Sequence, residues 1–133
     1  MKTILFVCVE NSGRSQMAEG FFKKLTTNEY EIISAGTKPV SEINPLAVQT
    51  MKEVDIDISQ NRSKLITNDM ISESNIIVNM GCMDKESCPA LFVEGMADWN
   101  IEDPKGKSVK EVRKIRDPIE IKVNELIQNL DQR

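Results

Sequence analysis

A cysteine and an arginine bracket a short polar stretch, Cys8-Val9-Glu10-Asn11-Ser12-Gly13-Arg14-Ser15. Residues of these types at this spacing suit the capture of an anion. Successive backbone N–H groups in a tight turn form a concave nest. A helix opening directly after the turn adds unpaired N–H groups and a partial positive charge. The guanidinium of Arg14 is a planar fork that matches two oxygens of a tetrahedral oxyanion. In such a field the Cys8 thiol is expected to ionise well below its free value of about 8.5. Glu10, Asn11, Ser12, Gly13, Arg14 and Ser15 are therefore the expected oxyanion cradle, and Cys8 the nucleophile aimed at the central atom. The plain alternative is a small core cysteine ending a strand followed by a solvated arginine. The flanks favour chemistry. Thr3-Ile4-Leu5-Phe6-Val7 precedes the stretch, a helical pattern opens at Gln16-Met17-Ala18-Glu19, and Asn11, Ser12, Gly13 and Ser15 tolerate turns and cap helices.

The remaining candidates are few. The chain has no histidine, which excludes His-based triads, His metal sites and a His general acid. Its three cysteines are Cys8, Cys82 and Cys88. An odd count without a fourth ligand suggests neither a disulfide framework nor a metal site, so no metal and no resident cofactor are expected and thiol chemistry remains. Cys82 and Cys88 lie in a polar segment. They could bridge if that segment bends, since a disulfide needs Cα atoms roughly 4.4–6.8 Å apart, or they could be unrelated core residues. Asp103-Pro104 precedes the last helical region. A carboxylic acid beside an oxyanion loop can protonate a leaving oxygen, although Asp-Pro is also a common turn.

The elements that must position these residues alternate. Residues 2–8 read as a strand buried on both faces. Residues 15–26 read as a helix with Met17, Ala18, Phe21, Phe22 and Leu25 on one face. Tyr30–Ala35 is a second strand, ended by Gly36. Asn44-Pro45 starts a helix, Asn as cap and Pro inside it, carrying Leu46, Val48, Met51 and Val54; a linker with Ile56 and Ile58 follows. Asn68 or Thr67 caps a brief turn, Ile76–Met80 is a third strand, and residues 81–96 are irregular or weakly helical. Ala97-Asp98-Trp99 could be a short fourth strand. Residues 108–131 are helical, either as one helix through Pro118 or as two abutting ones. The sum is an α/β single domain spanning 1–133, with a four-stranded parallel sheet, right-handed crossovers and helices on both faces. Ligands in such sheets bind at the carboxyl ends of the strands, where Cys8, Cys82 and Asp103 should all lie.

Composition narrows the setting. The length of 133 residues can bury a real core. A net charge of −4 argues against nucleic acid or an anionic membrane as partner. No apolar run approaches the roughly 18 residues of a membrane helix, and the N-terminal run is too short for a signal peptide. A small cytoplasmic monomer is the expectation.

Taken together, Cys8-x5-Arg14-Ser15, Gln16-Met17-Ala18-Glu19-Gly20, Ser34-Ala35-Gly36, Cys82-x5-Cys88 and Asp103-Pro104 resemble thioredoxin-coupled arsenate reductases, relatives of the low-molecular-weight protein tyrosine phosphatases. The loop and Asp-Pro are shared with the phosphatases; the cysteine pair points to the reductase branch. The resemblance implies the phosphatase-like fold and a three-cysteine relay in arsenic detoxification. Cys8 would attack arsenate held by the loop amides and Arg14, with phosphate or sulfate as competing oxyanions, and Asp103 would protonate the departing oxygen. Cys82 would then attack Cys8, releasing arsenite, and Cys88 would attack Cys82, leaving a Cys82–Cys88 disulfide for thioredoxin to reduce. Ser15 would hydrogen-bond the Cys8 sulfur and Asn11 would brace the loop. Segment 82–96 would need to move.

Two departures stand out. Glu10 places a carboxylate in the loop, and its side chain is expected to point away from the anion. Some reductases of this type hold potassium through residues matching Asn11, Glu19 and Ser34 and an aspartate; Lys64 stands at the aspartate position, where its ammonium could itself replace the cation, so no potassium requirement is expected. Two other functions compete. One is a phosphatase working through a cysteinyl-phosphate, although Lys105 and Gly106 stand where tyrosine phosphatases usually place tyrosine. The other is a non-catalytic oxyanion-binding or redox-sensing module.

Overall fold

A computed structural model of the chain describes residues 2–26, 29–80, 97–99 and 101–131. The apolar run at the N-terminus becomes β1 (Lys2–Cys8), every residue from Thr3 to Cys8 being buried. Its side chains alternate between two faces, as a strand requires. Ile4, Phe6 and Cys8 join the larger core, and Leu5 and Val7 the smaller one. β1 pairs in parallel with β2 (Tyr30–Gly36) on one side and β3 (Ile76–Asn79) on the other. β4 (Ala97–Asp98) adds two residues in parallel beyond β3, giving the order β2-β1-β3-β4. The expected four-stranded sheet is thus three strands of working length with a minimal edge strand.

Helices cover both faces. α1 (Arg14–Leu25), α2 (Pro45–Lys52) and α4 (Val109–Asp131) pack on the Ile4 and Phe6 side. There Phe6 meets Phe22 and Trp99 with ring centroids 6.2 and 5.7 Å apart. α3 (Asn68–Glu73), with Ile66, lies on the Leu5 and Val7 side. The caps follow the residue types. Asn44 Oδ1 accepts from the Leu46 and Ala47 amides at the start of α2. Thr67, not Asn68, caps α3 by accepting from Met70 N. Ser108 and Glu111 cap each other's backbone N–H groups before α4.

α4 runs unbroken through Pro118. An interior proline costs about 3 kcal/mol. Val112, Ile115, Ile119 and Val123 are buried on either side of it, each contributing roughly 1.5–3 kcal/mol, so packing outweighs the lost hydrogen bond. α1 begins at Arg14, one residue before the expected start, with Gly13 as its cap.

Gly36 lets the end of β2 close on the Cys8 loop. A Cβ there would lie 2.4 Å from Val9 O and 2.9 Å from Asn11 N, a clash with backbone that no rotamer relieves. Beyond it, Lys38 N donates to Val9 O at 2.8 Å and Asn44 N to Ser12 O at 2.8 Å, so the segment leading into α2 walls the loop.

Candidate active site

Cys8 ends β1 with 2% of its surface exposed, at the carboxyl edge of the sheet. Among the described residues, Asn11 and Ser15 reach its sulfur. Asn11 N donates to Sγ at 3.2 Å, and Ser15 Oγ lies 2.9 Å away. The direction of the serine bond follows from the network behind it. Lys64 N donates to Asn11 Oδ1 at 2.8 Å, which fixes that atom as the oxygen. Asn11 Nδ2 then faces Ser15 Oγ, donating at 2.8 Å, and leaves the serine hydroxyl hydrogen to point at sulfur. An N–H from the turn and an O–H from the first turn of α1 thus converge on Cys8, the arrangement a thiolate favours.

Asn11 carries more of the site than bracing requires. It is fully buried and left-handed, with φ of 52°, a conformation that asparagine tolerates better than most residues. Its carbonyl oxygen accepts from Gln16 Nε2 at 3.1 Å and Ser63 Oγ at 2.9 Å. Gln16, also fully buried, donates to Arg62 O and accepts from Asn61 Nδ2. The loop is therefore tied to residues 61–64. Sequence reasoning missed Gln16, Asn61 and Ser63; only the position of Gln16 in the first turn, beside Ser15, hinted at it.

Arg14 opens α1 with 5% exposure. Its Nη1 donates to Ile101 O at 3.0 Å, and Nη2 lies 3.6 Å from Asp103 Oδ2. Asp103 is half-exposed, and its Oδ1 accepts from Lys105 N at 3.0 Å. Pro104 packs on Gly13 so closely that a Cβ there would lie 2.7 Å from Pro104 Cγ. The fold thus brings Cys8, Ser15, Arg14 and Asp103 together. Ser12 is buried and binds the α2 cap through its carbonyl. The Glu10 carboxylate pairs with the Lys105 ammonium at 3.4 Å. Cys82 and Cys88, with the whole of segment 81–96, lie outside the described residues.

Lys64 is held to the site by its backbone, N–H on Asn11 Oδ1 and carbonyl on Gly36 N, and its ammonium donates to Arg62 O at 3.0 Å, beside a hollow that it lines with Glu19 and Lys23. The ammonium beside Glu19 is that of Lys23, one helical turn on, at 3.5 Å. Ser34 Oγ is buried with no hydrogen-bond partner among the described residues.

A model of the low molecular weight phosphotyrosine protein phosphatase family matches residues 3–133. The chain belongs to that family. Within it, the chain is 41% identical to arsenate reductase 1 of Staphylococcus saprophyticus over 123 residues, 92% of this chain and 93% of the relative. It superposes with a TM-score of 0.85 on the structure of an arsenate reductase in the phosphate binding state, at 36% identity, covering 97% and 98% of the two chains. A thioredoxin-dependent arsenate reductase of Corynebacterium glutamicum gives a TM-score of 0.81 at 31% identity, covering 99% of this chain and 63% of that one. Among the described residues no helix is long and apolar enough to cross a membrane.

Proposed function

We propose that this chain is an arsenate reductase, a single catalytic domain that converts arsenate to arsenite. The observation that carries the proposal is the meeting, at one sheet edge, of a buried Cys8 sulfur served by Ser15 and Asn11 with the Arg14–Asp103 pair. The neighbouring arsenate reductases support the choice of oxyanion.

Arsenate sits in the amides of residues 10–15 and on Arg14. The Cys8 thiolate attacks arsenic; an S–As bond forms, an As–O bond breaks, and Asp103 delivers a proton so that the oxygen leaves as water. The Cys82 thiolate attacks the Cys8 sulfur. The S–As electron pair goes to arsenic, which leaves as arsenite, and a Cys8–Cys82 disulfide remains. Cys88 then attacks Cys82, freeing Cys8 as a thiolate and leaving Cys82–Cys88. Two electrons have passed from two thiols to arsenic, and a dithiol partner restores them. Thioredoxin is the proposed partner, supported by the thioredoxin-dependent relative. Phosphate and sulfate are the proposed competitors, and a cytoplasmic monomer the proposed setting. No potassium requirement is proposed, because Lys64 stands at the aspartate position and its ammonium lines a hollow shared with Glu19 and Lys23.

Phosphomonoester hydrolysis is the second possibility, and one observation favours it: Cys8, Arg14 and Asp103, all in the described structure, suffice for a cysteinyl-phosphate cycle. Arsenate reduction assayed with thioredoxin, its reductase and NADPH separates the two. The proposal expects NADPH oxidation that depends on arsenate and is lost in Cys82→Ser and Cys88→Ser. A phosphatase would hydrolyse small aryl phosphates equally well with or without those cysteines and would consume no NADPH.

A further inference from the structure

The loop that takes an anion contains an acid. Glu10 stands between Cys8 and Arg14, its side chain only 22% exposed. An uncompensated carboxylate there would repel any oxyanion approaching the cradle, in proportion to the product of the charges. The structure supplies a counter-charge. Three consecutive residues of another segment meet the loop: Asp103 at Arg14, Pro104 on Gly13, and Lys105 at Glu10, Nζ to Oε2 at 3.4 Å. Lys105 is anchored by its backbone, whose N–H donates to Asp103 Oδ1, while its side chain is 73% exposed. The neighbouring Lys107 is engaged elsewhere, 2.9 Å from Glu102.

Resting on the proposal that this loop binds arsenate, we infer that Lys105 is a positioning residue for the oxyanion site. It holds the Glu10 carboxylate at the rim and cancels its charge where the anion enters. Where Tyr would offer a face to an aromatic ring, Lys105 therefore serves the loop itself. Lys105 acts through Glu10 and supplies no proton, so its removal affects anion affinity and leaves the chemical step alone.

The test uses the reduced full-length protein and inorganic phosphate as probe. Phosphate protection of Cys8 against iodoacetamide is followed by mass spectrometry of the Cys8 peptide, and arsenate KM and kcat are measured in parallel. Lys105→Gln should weaken phosphate protection by about three- to tenfold at low salt, with the difference shrinking at high salt. Lys105→Arg should stay within twofold of the parent. Glu10→Gln placed in the Lys105→Gln background should restore protection. Arsenate KM should rise in step while kcat stays within about twofold. Lys114→Gln, on the exposed face of α4, removes the same charge at a distance and should change nothing. Parental protection in Lys105→Gln, no recovery in the double variant, or an equal loss in Lys114→Gln would each overturn the inference. Phosphate protection that behaves as expected in a protein unable to reduce arsenate would sink the reductase proposal and leave this one standing.

Discussion

Two arginine–carboxylate clusters among the described residues are built in opposite ways. At α4, Glu53 is saturated. Arg113 grips it with Nε at 3.0 Å and Nη2 at 2.7 Å, Arg116 Nη1 adds a contact at 2.9 Å, and Arg116 also donates to Thr50 O. At the sheet edge, among the described residues, Asp103 has one loose guanidinium contact at 3.6 Å beside the Lys105 amide at 3.0 Å and is half-exposed, while its partner Arg14 is buried. The first cluster pins the end of α2 to α4. The second keeps a carboxylate near a cation without occupying either fully. A group that must hand over a proton needs room to meet substrate, so under-coordination at Asp103 and saturation at Glu53 distinguish chemistry from scaffolding.

The largest effect is expected at the Cys8 sulfur. Cys8→Ser should leave no measurable turnover while the α4 cluster and thermal unfolding stay intact, read by steady-state assay and circular dichroism. Asp103→Asn should lower kcat about 10²–10⁴-fold and leave phosphate binding in place; an equal loss of binding would mean that Asp103 shapes the pocket instead. Ser15→Ala removes one hydrogen bond to sulfur and should slow alkylation of Cys8 at neutral pH by about tenfold, with little change in folding. Glu53→Gln should be the mildest, with kcat/KM within about twofold. Its signature is in stability. Hydrogen bonding to Arg113, and then Arg116 against the opposing effect of burial, holds the Glu53 carboxyl below its ordinary 4.5. A lowered folded value stabilises above the unfolded one and is lost as pH falls through the folded one. The Tm gap between parent and Glu53→Gln should therefore be full at pH 7 and close below about pH 4.5.

The two clusters also differ in how far they could be read from sequence. The apolar run of β1, the β-branched β3 and the helical face of α4 declare themselves by period. The Cys8–Arg14 loop declares itself by residue type and flanks, and Asp103 by its company. The partners that tune the site do not. Ile101 O and Lys64 N are backbone groups with no sequence signature, and the buried amide of Gln16 is indistinguishable in sequence from a solvated one. The position of Lys64 is visible in the sequence, but its backbone bonds to Asn11 and Gly36 and the Lys23–Glu19 pair beside it are not. Pro118 left two helical arrangements open until burial on both sides of it chose one.

In the proposed relay Cys8 attacks a captured arsenate, and Cys82 and Cys88 accept its oxidation in turn. A single-turnover experiment separates this from other outcomes: fully reduced protein is mixed with arsenate without thioredoxin, quenched under acid, and analysed for arsenite and for disulfide-linked peptides. One arsenite per protein molecule with a Cys82–Cys88 disulfide and a restored Cys8 thiol is the predicted result. Unreduced arsenate with three intact thiols would contradict it.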